Sequence, residues 1–354
     1  MLELLNLKTE AFGLHFSDSS LKFAKLKKKG EFFDLASFGT FSIEEGVIKN
    51  GEIKSKKDLI KVIKNFLKKS PADKLKTNYV IASLPEEKSF LQVIQLPLMP
   101  EENVRSAVVY EAENYIPLPI EDVYLDFQII KPVVNHLDHL DVLIAAAPKE
   151  IVNNYLFCLK EAGLKPKALE TESLALCRAL IKKEFSPSPL LLADIGKTKT
   201  NFIIFGGYSL HFASSGDISG QTKIGFWQTE KLKIEYGSPK KEENKEASLV
   251  KKTALNNLVE QIKNYIDYYN THFFHEHFPS GKKTLEKILL CGEMATTPGL
   301  IDFLSAELHL SVEKANPFIN ILEKPEKGGS KLSLEDSLPY AVVLGLALRG
   351  VKEL

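Results

Sequence analysis

A chain of 354 residues is long enough to fold as two lobes with separate cores, and 44% hydrophobic and 9% aromatic residues describe an ordinary globular protein. Lys+Arg and Asp+Glu both number 46, so the net charge is zero and gives no support to a nucleic-acid partner. Its three cysteines, Cys158, Cys177 and Cys291, share no CxxC or Cys/His spacing, which excludes a zinc ribbon and reads as buried thiols in a reducing compartment.

The chain begins Met1-Leu2-Glu3-Leu4-Leu5, without the basic stretch of a signal peptide, and no later run approaches the ~20 apolar residues of a membrane-spanning helix. The expected compartment is the cytoplasm. Ala11 to Phe16, Leu21 to Leu26 and Glu31 to Ile43 then read as three strands, with the polar turn Ser17-Asp18-Ser19-Ser20 between the first two. Ser55 can cap a helix whose apolar stripe runs through Leu59-Ile60, Val62-Ile63 and Phe66-Leu67. The lysines of that helix and of 25–29 read most simply as a solvated face, with an anionic membrane surface as the other reading.

Tyr79 to Leu84 is a buried strand ended by Pro85, and Ser89 to Pro97 alternates like an edge strand. Pro100-Glu101-Glu102 opens a helix through Val104, Val108, Glu111, Ala112 and Tyr115, stopped by Pro117 and Pro119. Val123 to Ile130 alternates again. Residues 85–141 therefore read as an inserted β-α-β module, after which 141–148 resumes a buried strand, followed by a helix that ends at Gly163. A further strand and the helix from Glu172 deliver the chain to 190–216.

Here an apolar run ends at Asp194-Ile195-Gly196, followed by Lys197-Thr198-Lys199-Thr200 and two more strands. A carboxylate at a strand end, then a Gly and hydroxyls, suits a phosphate with its Mg²⁺, although Asp-x-Gly also closes ordinary hairpins. The order repeats that of 11–43, with His15 at the place of Asp194 and Ser17 at the place of Gly196. Two such units suggest a duplicated fold. Downstream, 239–246 reads as a charged loop or frayed helix, and Leu255 to Tyr269 as a helix with a core stripe. His272 to His277 lacks the carboxylate or Cys pair that would complete a metal site. Leu285 to Leu300 is a strand, a Gly turn and a helix.

The succession of Ile144 to Pro148, Ala162-Gly163-Leu164, Glu172-Ser173-Leu174-Ala175 and Asp194-Ile195-Gly196 resembles the actin-like ATPase superfamily, in the branch of FtsA and the type IV pilus assembly protein PilM family. Leu96-Pro97, Pro100-Glu101-Glu102, Tyr110 to Pro119 with its Ile-Pro-Leu-Pro exit, and Tyr340 to Gly350 are very similar to the PilM family over essentially the whole chain. The resemblance implies an α/β, ribonuclease H-like duplicated two-lobe fold with an inserted FtsA-type 1C module. Its first lobe would comprise 10–84, 142–204 and 335–354, its module 85–141, and its second lobe 205–334 with an insertion at about 225–283.

By the same resemblance ATP with Mg²⁺ would meet Ser17, Asp18, Ser19, Ser20 and Lys22 in one phosphate loop and Asp194, Gly196, Lys197, Thr198 and Thr200 in the other, with Asp194 toward the metal. Gly220, Glu230, Lys233, Gly292 and Glu293 would surround the adenosine. Departures weaken this: His15 and Ser17 replace the family's Asp and Gly, Glu293 replaces a second Gly, and Ser219 reduces a Gly-Gly pair. Weak or absent nucleotide binding follows, and no residue is assigned a catalytic role.

The implied function is a cytoplasmic scaffold of the pilus inner-membrane complex. It would hold the N-terminal tail of a PilN-like membrane protein on Val104, Val108, Glu111, Ala112 and Tyr115, and meet the membrane only through partners. Assembly ATPases, a platform protein and a second copy are further expected partners. An active nucleotide-switched ATPase and an FtsA-like cell-division adaptor are the alternatives; the latter is disfavoured because no amphipathic helix follows Gly350.

Overall fold

The computed structural model describes residues 10–69, 75–133, 138–217, 245–272, 284–322 and 332–352. They divide into two compact units, the first from Met1–Gln128, Val142–Lys183 and Asn316–Leu354, the second from Ile129–Asp141 and Glu184–Ala315.

In the first unit, β1 (Phe12–Phe16), β2 (Ser20–Lys29) and β3 (Phe32–Ser42) form an antiparallel meander. All five residues of β1 are buried, as befits a strand covered on both faces. The ribbon β4 (Ile48–Lys49) and β5 (Glu52–Ile53) turns at Asn50-Gly51, both left-handed at φ 49° and 71°, which is the backbone a two-residue hairpin needs. Helix α1 (Lys56–Lys69) follows, its first turn held by Asp58 N–H donating to Ser55 Oγ, and it buries Leu59, Ile63 and Phe66. Strand β6 (Tyr79–Leu84) runs parallel to β1.

The inserted module comprises β7 (Phe90–Pro97), α2 (Glu101–Ala112), β8 (Val123–Ile129) and β9 (His139–Pro148), with its strands in the order β7-β9-β8. The expected end of the insertion at 141 needs correction, because β9 is the middle strand of the module's own sheet. Its buried run Val142-Leu143-Ile144 reflects that central position. Then come α3 (Lys149–Glu161), β10 (Lys165–Thr171), parallel to β6, and α4 (Glu172–Leu180).

The second unit holds β11 (Ser186–Ile195), β12 (Lys199–Gly207), β13 (Ser209–Asp217), α5 (Lys245–His272), β14 (Lys287–Cys291), α6 (Leu300–Leu308) and β15 (Ser311–Lys314). Helix α5 starts well before the expected Leu255, so the described end of the charged run at 245–246 is helical. The chain returns to the first unit with α7 (Leu334–Ser337) and α8 (Ala341–Lys352).

The two main sheets are ordered β3-β2-β1-β6-β10 and β13-β12-β11-β14-β15. In each, an antiparallel meander is extended by two parallel strands on the side of its first member. One pattern written twice is the duplicated α/β actin-like arrangement. The expected lobe boundary at 204 is corrected: β11 is hydrogen-bonded on both sides inside the second sheet, and the division falls between 183 and 184. At the other end, 316–334, expected in the second lobe, belongs with the first unit, where Phe318, Ile321 and Leu332 pack with α8.

In the first unit, α1 and α3 cover one face of the sheet, where Phe12, Leu14 and Phe16 meet Leu59, Ile63, Phe66 and Tyr155. Helix α8 covers the other, packed on Ala24 and Leu26 and against α4. Gly345 makes the α4–α8 contact close, since a Cβ there would strike the backbone of Ala175.

Candidate functional site

Each meander turn is closed by the same kind of backbone hydrogen bond. Ser17 N–H donates to Ser20 O at 2.8 Å, and Gly196 N–H donates to Lys199 O at 2.9 Å. His15 and Asp194 each stand one residue before the last of their strands, so the sequence correspondence between them is structural.

In the first turn the polar groups are engaged by the protein itself. His15, nearly buried, meets Glu172 Oε1 at 3.1 Å through Nε2. Asp18 accepts Asn50 N–H at 2.8 Å and Gly51 N–H at 3.1 Å. Ser20 N–H donates to Ser17 Oγ at 3.0 Å, and the two hydroxyls lie 2.8 Å apart. Lys22 is the cross-strand neighbour of His15 and is buried beside it, while Ser19 is exposed.

Two carboxylates that sequence reasoning did not assign to the site complete this environment. Glu172 opens α4 and faces His15. Glu86, only 5% exposed, accepts Ser173 N–H at 3.0 Å through Oε2, so it occupies the N-terminus of α4, where a helix otherwise offers its amides to an anionic ligand. Burial pushes the Glu86 carboxyl up to about 7, with the Glu172 charge adding to the shift. A signal existed in Leu84-Pro85-Glu86-Glu87, acids placed just after a strand end, but nothing in the spacing links it to a helix 87 residues away.

These residues do not fit a magnesium-bound phosphate. An imidazole stands at the carboxylate position, Asp18 is used by backbone amides, and the helix terminus is already occupied by the Glu86 carboxyl.

The second turn is different. Asp194 is partly exposed at the end of β11, in register with Cys291 of the parallel strand β14. Gly292, at φ +91°, follows; a Cβ there would lie 2.5 Å from Asp194 Oδ1 and from Ile195 O. Met294 N–H donates to Ile195 O at 3.0 Å and ties the two turns together. Burial, and then the Asp194 charge, hold the Cys291 thiol well above its ordinary range. Asp194, Gly196, Gly292 and Glu293 thus meet at one end of the sheet with the exposed Lys197 and Thr198, and Lys197 Nζ lies 3.7 Å from Glu293 Oε2. This half would accept a phosphate and a cation better than the first.

Thr200 needs correction: it is fully buried with no partner for its hydroxyl, on the same side of β12 as Phe202, whose ring packs on Tyr265. Gly220, Glu230, Lys233 and most of the histidine-rich tail lie outside the described residues. Among the described residues no cluster of His, Cys, Asp and Glu could hold a metal ion, and no helix is long and apolar enough to cross a membrane.

On the module, Val104, Val108 and Ala112 are buried and Glu111 is half-buried. The i, i+4, i+8 spacing that suggested a binding stripe is the side α2 turns onto β7, so those three side chains are core and not open surface. Tyr115 is exposed, as are Leu98, Val109, Tyr110 and Leu118 of the same module; Tyr110 reaches 76% exposure. β7 is an edge strand, as its alternation predicts.

Residues 13–351 match the family model described as type IV pilus assembly protein PilM. The chain is similar to a solved structure entitled "PilM-PilN type IV pilus biogenesis complex", at 25% identity and TM-score 0.76, covering 98% of this chain and 99% of that one. A remoter likeness is to the ethanolamine utilization protein EutJ from Carboxydothermus hydrogenoformans, at 11% identity and TM-score 0.49, covering 96% and 89%.

Proposed function

Because the chain belongs to the type IV pilus assembly protein PilM family, we propose that it is a cytoplasmic scaffold that captures the N-terminal tail of a PilN-like membrane protein, with nucleotide binding that is weak or absent. The observation that carries this reading is the end-to-end similarity to a PilM chain solved with PilN. The module supports it physically. An edge strand offers unpaired backbone groups to an extended peptide, and the exposed side chains Leu98, Val109, Tyr110, Tyr115 and Leu118 offer apolar contact. Neither requires Mg²⁺ or hydrolysis.

Two titrations test the reading. A synthetic peptide of the partner's cytoplasmic tail should bind by calorimetry, and Tyr115→Ala should weaken it by about tenfold, roughly 1.4 kcal/mol. An absence of heat with the native protein ends the proposal. MgATP should give no heat with the native protein and bind the His15→Asp, Ser17→Gly, Glu293→Gly variant. The intact Asp194–Gly292 turn favours a second reading, a nucleotide-switched ATPase of the same machine. Micromolar MgATP binding by the native chain would put that reading first.

A further inference from the structure

Helix α1 carries Lys57, Lys61, Lys64 and Lys68 at i, i+4, i+7 and i+11, a single line along its outer side, flanked by Lys56 and Lys69. Asp58, the acid of this helix, is turned to Ser55 Oγ at 2.7 Å. Lys57, Lys61, Lys64, Lys68 and Lys69 are exposed and have no ion-pair partner among the described residues. The apolar side of the helix is already spent on the sheet, so the lysine line is what it presents outward.

Helix α3 lies beside α1 on the same face of the sheet and presents Lys149, Asn153, Phe157 and Lys160 at i, i+4, i+8 and i+11. Phe157 and Tyr124 are each 48% exposed. Lys56 Nζ sits 5.4 Å from the centroid of the Phe157 ring, Lys149 Nζ sits 5.8 Å from that of Tyr124, and Tyr124 O–H donates to Asn153 at 3.2 Å. Glu150 and Glu161 are the acids of α3, too few to neutralise the face.

We propose that this α1–α3 face docks on the anionic headgroups of a phospholipid bilayer. Lysines extend apolar stems and keep their charges at the headgroup level, and half-exposed aromatic rings between them can enter the interface. The choice of lipid over nucleic acid rests on those rings and on the absence of arginine from the face, since arginine is the residue suited to bidentate phosphate contact. This contact is additional to capture of a partner's tail and independent of it.

The test is co-sedimentation of the full chain, without any tail peptide, with vesicles of equal parts phosphatidylglycerol and phosphatidylcholine, and with phosphatidylcholine alone. Binding is expected only with the anionic vesicles, weakening as salt is added. It should fall by about fivefold for each lysine removed in the series Lys57→Gln, Lys61→Gln and Lys64→Gln. Circular dichroism and tail-peptide binding check that the variants fold. Absence of binding to anionic vesicles, equal binding to neutral ones, or binding insensitive to salt overturns the proposal with the native protein alone. So does a lysine series that leaves vesicle binding unchanged while abolishing self-association or duplex DNA binding.

Discussion

Glu86 sets two physical effects against each other. The N-terminus of α4 favours its charged form, burial opposes it, and burial prevails. Because the folded-state value, about 7, lies above the ordinary 4.5, the stability this group contributes is complete below the ordinary value and lost as pH rises through 7. Glu86→Gln should therefore gain about 3 kcal/mol over the native protein at slightly alkaline pH and little near pH 4.5, to order of magnitude. Urea unfolding at both pH values checks this; a variant curve parallel to the native one contradicts it. His15→Asp alone should destabilise by ~2 kcal/mol or more, since it sets a second carboxylate against Glu172 in a buried position. Urea midpoints measure it, and a midpoint at or above the native one refutes it.

At the scale of elements, Glu170 of β10 binds two helices at once. Its carboxylate meets Arg178 Nη1 at 2.5 Å and Nη2 at 3.1 Å, and Arg349 Nη1 at 2.6 Å, with a side chain only 2% exposed. Glu170→Ala leaves two guanidinium groups without their anion and should cost about 3–5 kcal/mol in denaturant unfolding. Gly345→Ala should cost about 1–3 kcal/mol or more, because α8 must back away from α4 to admit the methyl group. Strand and helix positions were legible in the sequence wherever period and punctuation agreed, as in Ser55 before α1 or the alternation of β7. β9 misled because a central strand of a small sheet and a strand of the main lobe have the same apolar pattern. Val104, Val108 and Ala112 misled for a related reason, as periodicity identifies the apolar side of a helix without saying what covers it.

Over the whole molecule, each unit has its own sheet and its own buried core, so unfolding need not be a single two-state event. Calorimetry should resolve two transitions, with Glu170→Ala lowering only one; a single transition moved as a whole would contradict independent units. The duplication was legible because two turns share length and order, and the sheets repeat that agreement strand by strand. The correspondence of His15 with Asp194 was legible too. What filled the first turn was not, because Glu86, Glu172, Asn50 and Gly51 converge on it from distant segments, and convergence leaves no local spacing.

The Asn50-Gly51 turn bears on how the protein ages. Asn-Gly is the dipeptide most prone to deamidation, because the glycine nitrogen can attack the asparagine amide carbon, expel ammonia and close a succinimide. Here that nitrogen donates its proton to Asp18 Oδ1 at an N···O distance of 3.1 Å, in a backbone fixed by the hairpin and by Tyr155 O–H donating to Gly51 O. An engaged Gly51 N–H in a fixed turn is expected to slow the attack, and Asp18 is the group that engages it. Storage of an Asp18→Ala variant should produce the one-dalton mass gain at Asn50 sooner than in the native chain, a difference that peptide mass spectrometry reads directly.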